Sequence, residues 1–175
     1  GKKGLPIVGA SVYSEHPTAE VLCLRYDIHG DHKPKLWRPG MPLPHDLFEY
    51  LASGGIIEAH NAMFERLIWE NVCVPKYGFP PLNPYNLRCS MATARVNNLP
   101  GPLDNLGTVL QVATKKDADG KRLLAKFSVP RNPTKADARL RITPDDDPAD
   151  GERLYDYCGT DVQAEQECAA RMEPM

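Results

Sequence analysis

Glu65 stands in the first turn of a helical pattern that leaves a short apolar run, Gly55-Ile56-Ile57, through His60-Asn61. Helical side chains lean toward the helix N-terminus, so Glu65 leans back toward the C-terminal end of the run 56–60. In open α/β sheets that end is where sites form, and the helix dipole there favours an ionised carboxylate. A surface Glu that only complements the dipole is the ordinary alternative. A second acid stands out in the last helical pattern, whose apolar stripe is Leu154, Tyr157, Cys158, Val162, Cys168, Ala169 and Met172. Asp161 falls on that stripe. A carboxylate facing a core is costly unless a Lys, an Arg or a metal ion compensates it. Tyr157 and Asp161 are one turn apart, so "YCGTD" presents a phenol and a carboxylate side by side, by design or by chance.

A third feature is charge. Residues 115–141 hold nine Lys or Arg against three Asp, a net +6 inside a chain of net −2. The segment suits a phosphate-binding arm or a solvated surface. The chain as a whole has no global basic field for nucleic acid.

These residues need a scaffold. The 175 residues, 42% of them apolar, suit one domain, 1–175. Seventeen prolines cluster in the connections, about twice the average share of roughly 5%. Five scattered cysteines without a C-x-x-C pair argue against a disulfide framework or zinc site and for reduced thiols. No apolar run approaches ~18 residues, so no membrane span is expected, and no signal peptide is visible.

Periodicity predicts strands over 20–28, 34–40 and 56–60, with a hairpin-like turn at "HGDHK". It predicts helices over 44–55 and 61–72, the latter with Asn61 as N-cap. A short strand and a helix follow over 87–98, then helices over 103–113, 121–127 and 152–172. Hairpin strands followed by alternating helices and strands indicate an α/β domain with a mixed sheet.

Taken in order, the two motifs match one family. The pattern N-x-x-(F/Y)-(D/E) after a strand (Asn61, Phe64, Glu65), then Y-x-x-x-D on a terminal helix (Tyr157, Asp161), resembles the DEDD-type 3′–5′ exonucleases. The stretches "YSEHPTAEVLCLRYDI", "LWRPGMPLP", "GGIIEAHNAMFERLIW", "NLPGPLDNLGTVL" and "YCGTDVQAE" look like the exonuclease domain of phage or prophage family A DNA polymerases.

The resemblance implies a ribonuclease H-like fold, a mixed five-stranded sheet with flanking helices. It implies four acids holding two divalent ions, Mg²⁺ or Mn²⁺, about 3.5–4 Å apart. Such ions supply an activated water, a stabilised leaving oxygen and neutralised phosphate charge, and carboxylates suit them as hard cations. Glu65 matches a second-motif acid and Asp161 the final acid, both as metal ligands. Tyr157 matches the residue that orients the water. Asn61 and Phe64 match positions along the 3′-terminal nucleotide, and Lys135, Arg139 and Arg141 are candidate DNA contacts. His60 reads as structural. The implied partners are the 3′ end of single-stranded DNA and a polymerase domain in the same parent chain, in the cytoplasm of a bacterial host.

One departure is large. The family's first motif, D-x-E on a first strand, supplies the other two acids, and no such strand is present. Asp150-Gly151-Glu152 reads as a turn before the last helix and cannot replace it. The fold places that first strand at the centre of the sheet, between 20–28 and 56–60. With Gly1 at its start, the chain reads as a fragment lacking the central strand and half the ligands, and therefore as inactive alone. The rival reading is a non-catalytic nucleic-acid-binding or scaffold domain.

Overall fold

Short apolar runs bounded by Pro and Gly become short strands. In a computed structural model that describes residues 5–114 and 119–172, β1 (Leu24–Tyr26) pairs antiparallel with β2 (Lys35–Trp37). Leu24 lies opposite Trp37 and Tyr26 opposite Lys35. Asp27 closes the connection. Its carboxylate accepts from the backbone N–H of His29 at 2.9 Å, Gly30 at 2.8 Å and His32 at 3.0 Å. That is the Asx chemistry expected of this turn. β3 (Ile57–Ala59) pairs parallel with β4 (Leu87–Cys89), with Ile57 opposite Leu87 and Ala59 opposite Cys89.

Among the described residues the strands form two separate two-stranded sheets, not one five-stranded sheet. β1 hydrogen-bonds to β2, and β3 to β4; neither bonds to the other. A cavity is lined by residues of both β1 and β3.

Among the described residues there are eight α-helices. α1 (Leu5–Ser14), which the apolar pattern did not suggest, is kinked at Gly9, where φ is 79°. α2 (His45–Ala52) covers the 44–55 prediction, and Gly54 follows it at φ 90°. α3 (Ala62–Ile68) runs into a π-helical turn, Trp69–Cys73, and then α4 (Val74–Tyr77). α5 is Ser90–Val96, α6 Leu103–Val109 and α7 Gly120–Ser128. α8 (Pro148–Ala169) begins four residues earlier than its apolar stripe suggests. Pro148 occupies its first turn, where no N–H is needed, and the Asp147 carboxylate caps the N–H of Asp150 at 3.2 Å. Asp150 and Glu152 are therefore helical, not in a turn.

Three buried clusters hold these elements. Phe79 meets Trp37, Phe48 and Trp69 edge-on, with centroids 4.8, 5.0 and 5.0 Å apart. That is the favoured arrangement of ring quadrupoles. The Trp69 indole N–H donates to the Pro80 carbonyl at 2.8 Å, so its polar atom is satisfied as it is buried. Ala94, Leu106, Cys168 and Met172 join α5 and α6 to the end of α8. Leu123, Phe127, Leu154 and Tyr157 join α7 to its first half. α8 thus serves as the spine against which β1, α6 and α7 pack. No described helix is long and apolar enough to cross a membrane, and all five cysteines are free thiols.

Candidate functional site

The cavity between β1 and β3 has a volume of about 690 Å³. Residues 23–28 line one side and 56–60 the other. Leu47, Trp69 and Leu82 add apolar surface from the aromatic cluster, and α8 contributes Cys158, Asp161, Val162, Glu165, Gln166 and Ala169.

Glu65 reaches this space because of the turn before α3. Asn61 takes left-handed backbone angles, φ 67° and ψ 44°, which Asn tolerates better than most residues. The chain thereby leaves β3 and enters α3 without a linker. Asn61 holds the N-cap position, but its side chain makes no capping hydrogen bond there. Glu65 keeps an exposed face on the cavity. Protein packed around it still pushes its carboxyl up to about 7, against the help of its own backbone N–H.

Asp161 lines the same cavity from α8. The two acids expected to act together therefore share one space. A third joins them, which the motifs did not single out. Glu165, one turn beyond Asp161, has its carboxyl pushed up to about 8 by burial and by the nearby charges of Glu58 and Glu65. The Ser90 hydroxyl donates to Glu165 Oε1 at 2.7 Å, and the His60 backbone N–H also bonds to it. Its i, i+4 spacing from Asp161 carries the signal that would have found it.

His60 ties the end of β3 to its surroundings. Its Nε2 lies 2.6 Å from the Gly101 carbonyl and its Nδ1 3.1 Å from Ser90 Oγ. Both ring nitrogens are engaged in holding the fold.

Tyr157 lies elsewhere. It is buried beside Leu123, Phe127 and Leu154, with its ring against the Cα of Gly120, and it does not line the cavity. Phe64 packs its ring 6.2 Å from Tyr13 of α1. Neither Phe64 nor Asn61 lines the cavity.

The basic segment is folded against acids within it and just beyond it. Arg122 bonds to Asp119 at 2.7 Å and Asp150 at 2.9 Å; Lys126 bonds to Asp147 and Asp150. Arg131 pairs with Asp137, while Arg139 pairs with Asp137 at 3.0 Å and Asp146 at 2.7 Å. Arg141 donates to the Thr18 carbonyl at 2.8 Å, and Lys135 is exposed. The +6 counted over 115–141 leaves out the neighbouring acids that answer it. Lys115, Lys116 and Asp117 of that count lie outside the described residues.

Two other side chains on the cavity wall have unanswered polar atoms. Arg25 Nε is buried without a hydrogen bond, and its guanidinium lies against α8 where Gly159 leaves room. Gln166 donates from Nε2 to Asp27 at 2.9 Å, while its Oε1 is buried without a partner.

Among the described residues no group of three or more His, Cys, Asp or Glu is arranged to hold a metal ion. The raised carboxyls of Glu65 and Glu165 also favour the protonated form, which is a poor ligand. The residues present do not by themselves make a two-ion site.

The chain is 36% identical over 161 residues to a DNA polymerase of Bacillus phage SP02. The match covers 90% of this chain and 24% of that polymerase, so the chain spans about a quarter of its relative's length. No family model matches the chain, and no solved structure matches it.

Proposed function

We propose that this chain is the greater part of a 3′–5′ exonuclease region, of ribonuclease H-like fold, that proofreads for a DNA polymerase in the same parent polypeptide. The observation that carries this reading is the convergence of Glu65 and Asp161 on one cavity beside the end of β3. The similarity to a phage DNA polymerase supports the polymerase setting.

In this reading Asp161 and Glu65 are two of the acids that bind divalent cations, and Glu165 is a neighbour that tunes their charge. Such cations supply an activated water and neutralise phosphate charge. Because the chain alone does not form their site, no step of hydrolysis is assigned to it. Its own contributions are a rigid β3–α3 turn that aims Glu65 and a helix that presents Asp161. Lys135, Arg139 and Arg141 remain candidate contacts to the DNA backbone, with Lys135 the most available.

The test is a time course on a 5′-labelled single-stranded oligonucleotide with Mg²⁺ or Mn²⁺. The 175-residue chain should leave it intact, and the parent polypeptide extended ahead of residue 1 should shorten it from the 3′ end. An inactive extended protein would end the exonuclease reading. Robust cutting by the short chain would show that a complete site exists without the extension.

A further inference from the structure

We propose that Cys23, at the entry to β1, and Cys158, on α8, form a reversible dithiol–disulfide site that a peroxide closes. The site goes beyond the exonuclease reading and stands whether or not the chain cuts DNA.

Local geometry brings the two sulfurs together. Cys23 immediately precedes β1, and extended backbone points residues i and i+2 to the same side. Two positions on, Arg25 lays its guanidinium against α8 at Gly159, the residue next to Cys158. Cys23 therefore faces α8 at the same level. Leu22 and Cys158 pack against one buried cluster, and both cysteines line the cavity. Their thiols share a hydrogen bond. Thiols in contact meet the proximity that a disulfide demands. The other three cysteines stand elsewhere. Cys73 and Cys168 are buried in two separate clusters, and Cys89 ends β4. None of the three lines the cavity.

The surroundings give the two thiols different parts. The hydrogen bond that Cys23 donates holds the Cys158 thiol below its usual range, against burial and the Asp161 carboxylate. The same bond pushes the Cys23 thiol up. The Arg25 guanidinium favours thiolate at both sulfurs. Cys158 is thus the first nucleophile. Its thiolate attacks one peroxide oxygen, the O–O bond breaks, and the hydroxide released takes up the thiol proton as water. The Cys23 sulfur then attacks the Cys158 sulfenic sulfur. The S–S bond forms, the S–O bond breaks, and the departing hydroxide leaves with the Cys23 proton as a second water. Two thiols are oxidised and one peroxide is reduced to two waters. The bond spans 135 positions and ties β1 to the helix that carries Asp161. A cross-link over so long a loop restricts the unfolded chain most.

Peptide mapping tests the pair. The reduced protein is exposed to excess hydrogen peroxide, alkylated and digested. One linked peptide pair, carrying Cys23 and Cys158, should appear, and dithiothreitol should restore both thiols. The Tm should rise by about 5 °C or more on oxidation and return on reduction. Cys23→Ser removes the second thiol, so Cys158 should stop at the sulfenic acid and be captured by dimedone. Cys89→Ser should leave the linked pair unchanged. Thiols that stay fully reduced overturn the proposal, as does an oxidised Cys158 with no link to Cys23 in the unsubstituted protein. A bond through Cys73, Cys89 or Cys168, or between two chains, overturns it too. So does a lower Tm on oxidation, since the bond would then form only by pulling β1 off α8. The mapping needs no variant, so a substitution that fails to fold leaves the test intact.

Discussion

Glu65 in the first turn of α3 and Asp161 in the middle of α8 line the same cavity, although they stand 96 positions apart in the sequence. Each alone reads as an ordinary surface or helix acid. Their shared space, with Glu165 beside them, concentrates three carboxyls around one cavity, Glu65 exposed and Asp161 and Glu165 half-buried.

The first consequence is a pH dependence of stability. Glu165 and Glu65 titrate near 4.5 when unfolded, and folding raises them to about 8 and about 7. Between those limits the folded chain binds protons that the unfolded chain has released. Stability from this source is complete below about pH 4.5 and declines as pH rises toward 8. Glu165→Gln keeps the Ser90 contact but cannot ionise. Urea denaturation should find the variant about 1 kcal/mol more stable than the parent at pH 8, with no gain at pH 4.5. Parallel pH profiles would show that Glu165 is well solvated.

Asp161→Ala and Tyr157→Phe should separate two roles. In an upstream-extended, active protein, Asp161→Ala should lower 3′–5′ degradation by about two orders of magnitude or more, because in the proposed reading it deletes a charged metal ligand. Tyr157 lies in the α7–α8 core, so Tyr157→Phe keeps its packing and should cost far less. Initial rates at saturating metal decide between them. Normal cutting by Asp161→Ala would make the helix acid structural.

Gly120→Ala tests the seat of Tyr157. A Cβ at Gly120 would run into the Tyr157 ring, which is buried and cannot swing into solvent. Overpacking of this kind costs about 1–3 kcal/mol. Thermal denaturation should show the loss, and Tyr157→Ala in the same chain should relieve the clash at the price of a cavity. A neutral Gly120→Ala would place the ring elsewhere.

Lys135 and Arg139 should part company. Arg139 bridges Asp137 and Asp146, so Arg139→Gln should lower the Tm slightly by removing the bridge, with Asp137 keeping Arg131 and Asp146 losing its cation. Lys135→Gln should leave the Tm unchanged and weaken single-stranded DNA binding at low salt, with a shallower salt slope. Fluorescence anisotropy against salt concentration reads this directly. No change in binding would leave Lys135 as solvated surface.

Much of the scaffold was legible because its signals are local. The turn at Asp27, the αβ alternation from 44 to 96 and the Tyr157–Asp161 helix follow from turn chemistry and apolar period. The strands were read too long. The 20–28 run contracts to Leu24–Tyr26: Val21 and Leu22 pack into buried clusters ahead of the strand, and Asp27 is taken up by the turn after it. α1 escaped notice because its apolar residues, among them Ile7 and Val12, are largely exposed and form no stripe. The charge of the basic segment was summed over a window that stopped short of three of its acidic partners, Asp146, Asp147 and Asp150. Glu165 was within reach of the helical spacing but had no motif to mark it. Arg25 and Gln166 had none either, since an unanswered polar atom is a three-dimensional fact.

The π-helical turn at Trp69–Cys73 bears on how this chain lines up with others. Such a turn accommodates one extra residue in an otherwise continuous helix. That residue swings everything after it by about 100° about the helix axis. Here the swing follows Glu65 and precedes Phe79, so one residue's insertion separates the orientation of the acid from that of the aromatic cluster. A chain with an uninterrupted helix at this point should be one residue shorter between positions 69 and 73. An alignment that forbids a gap there would pair every following residue with the wrong partner.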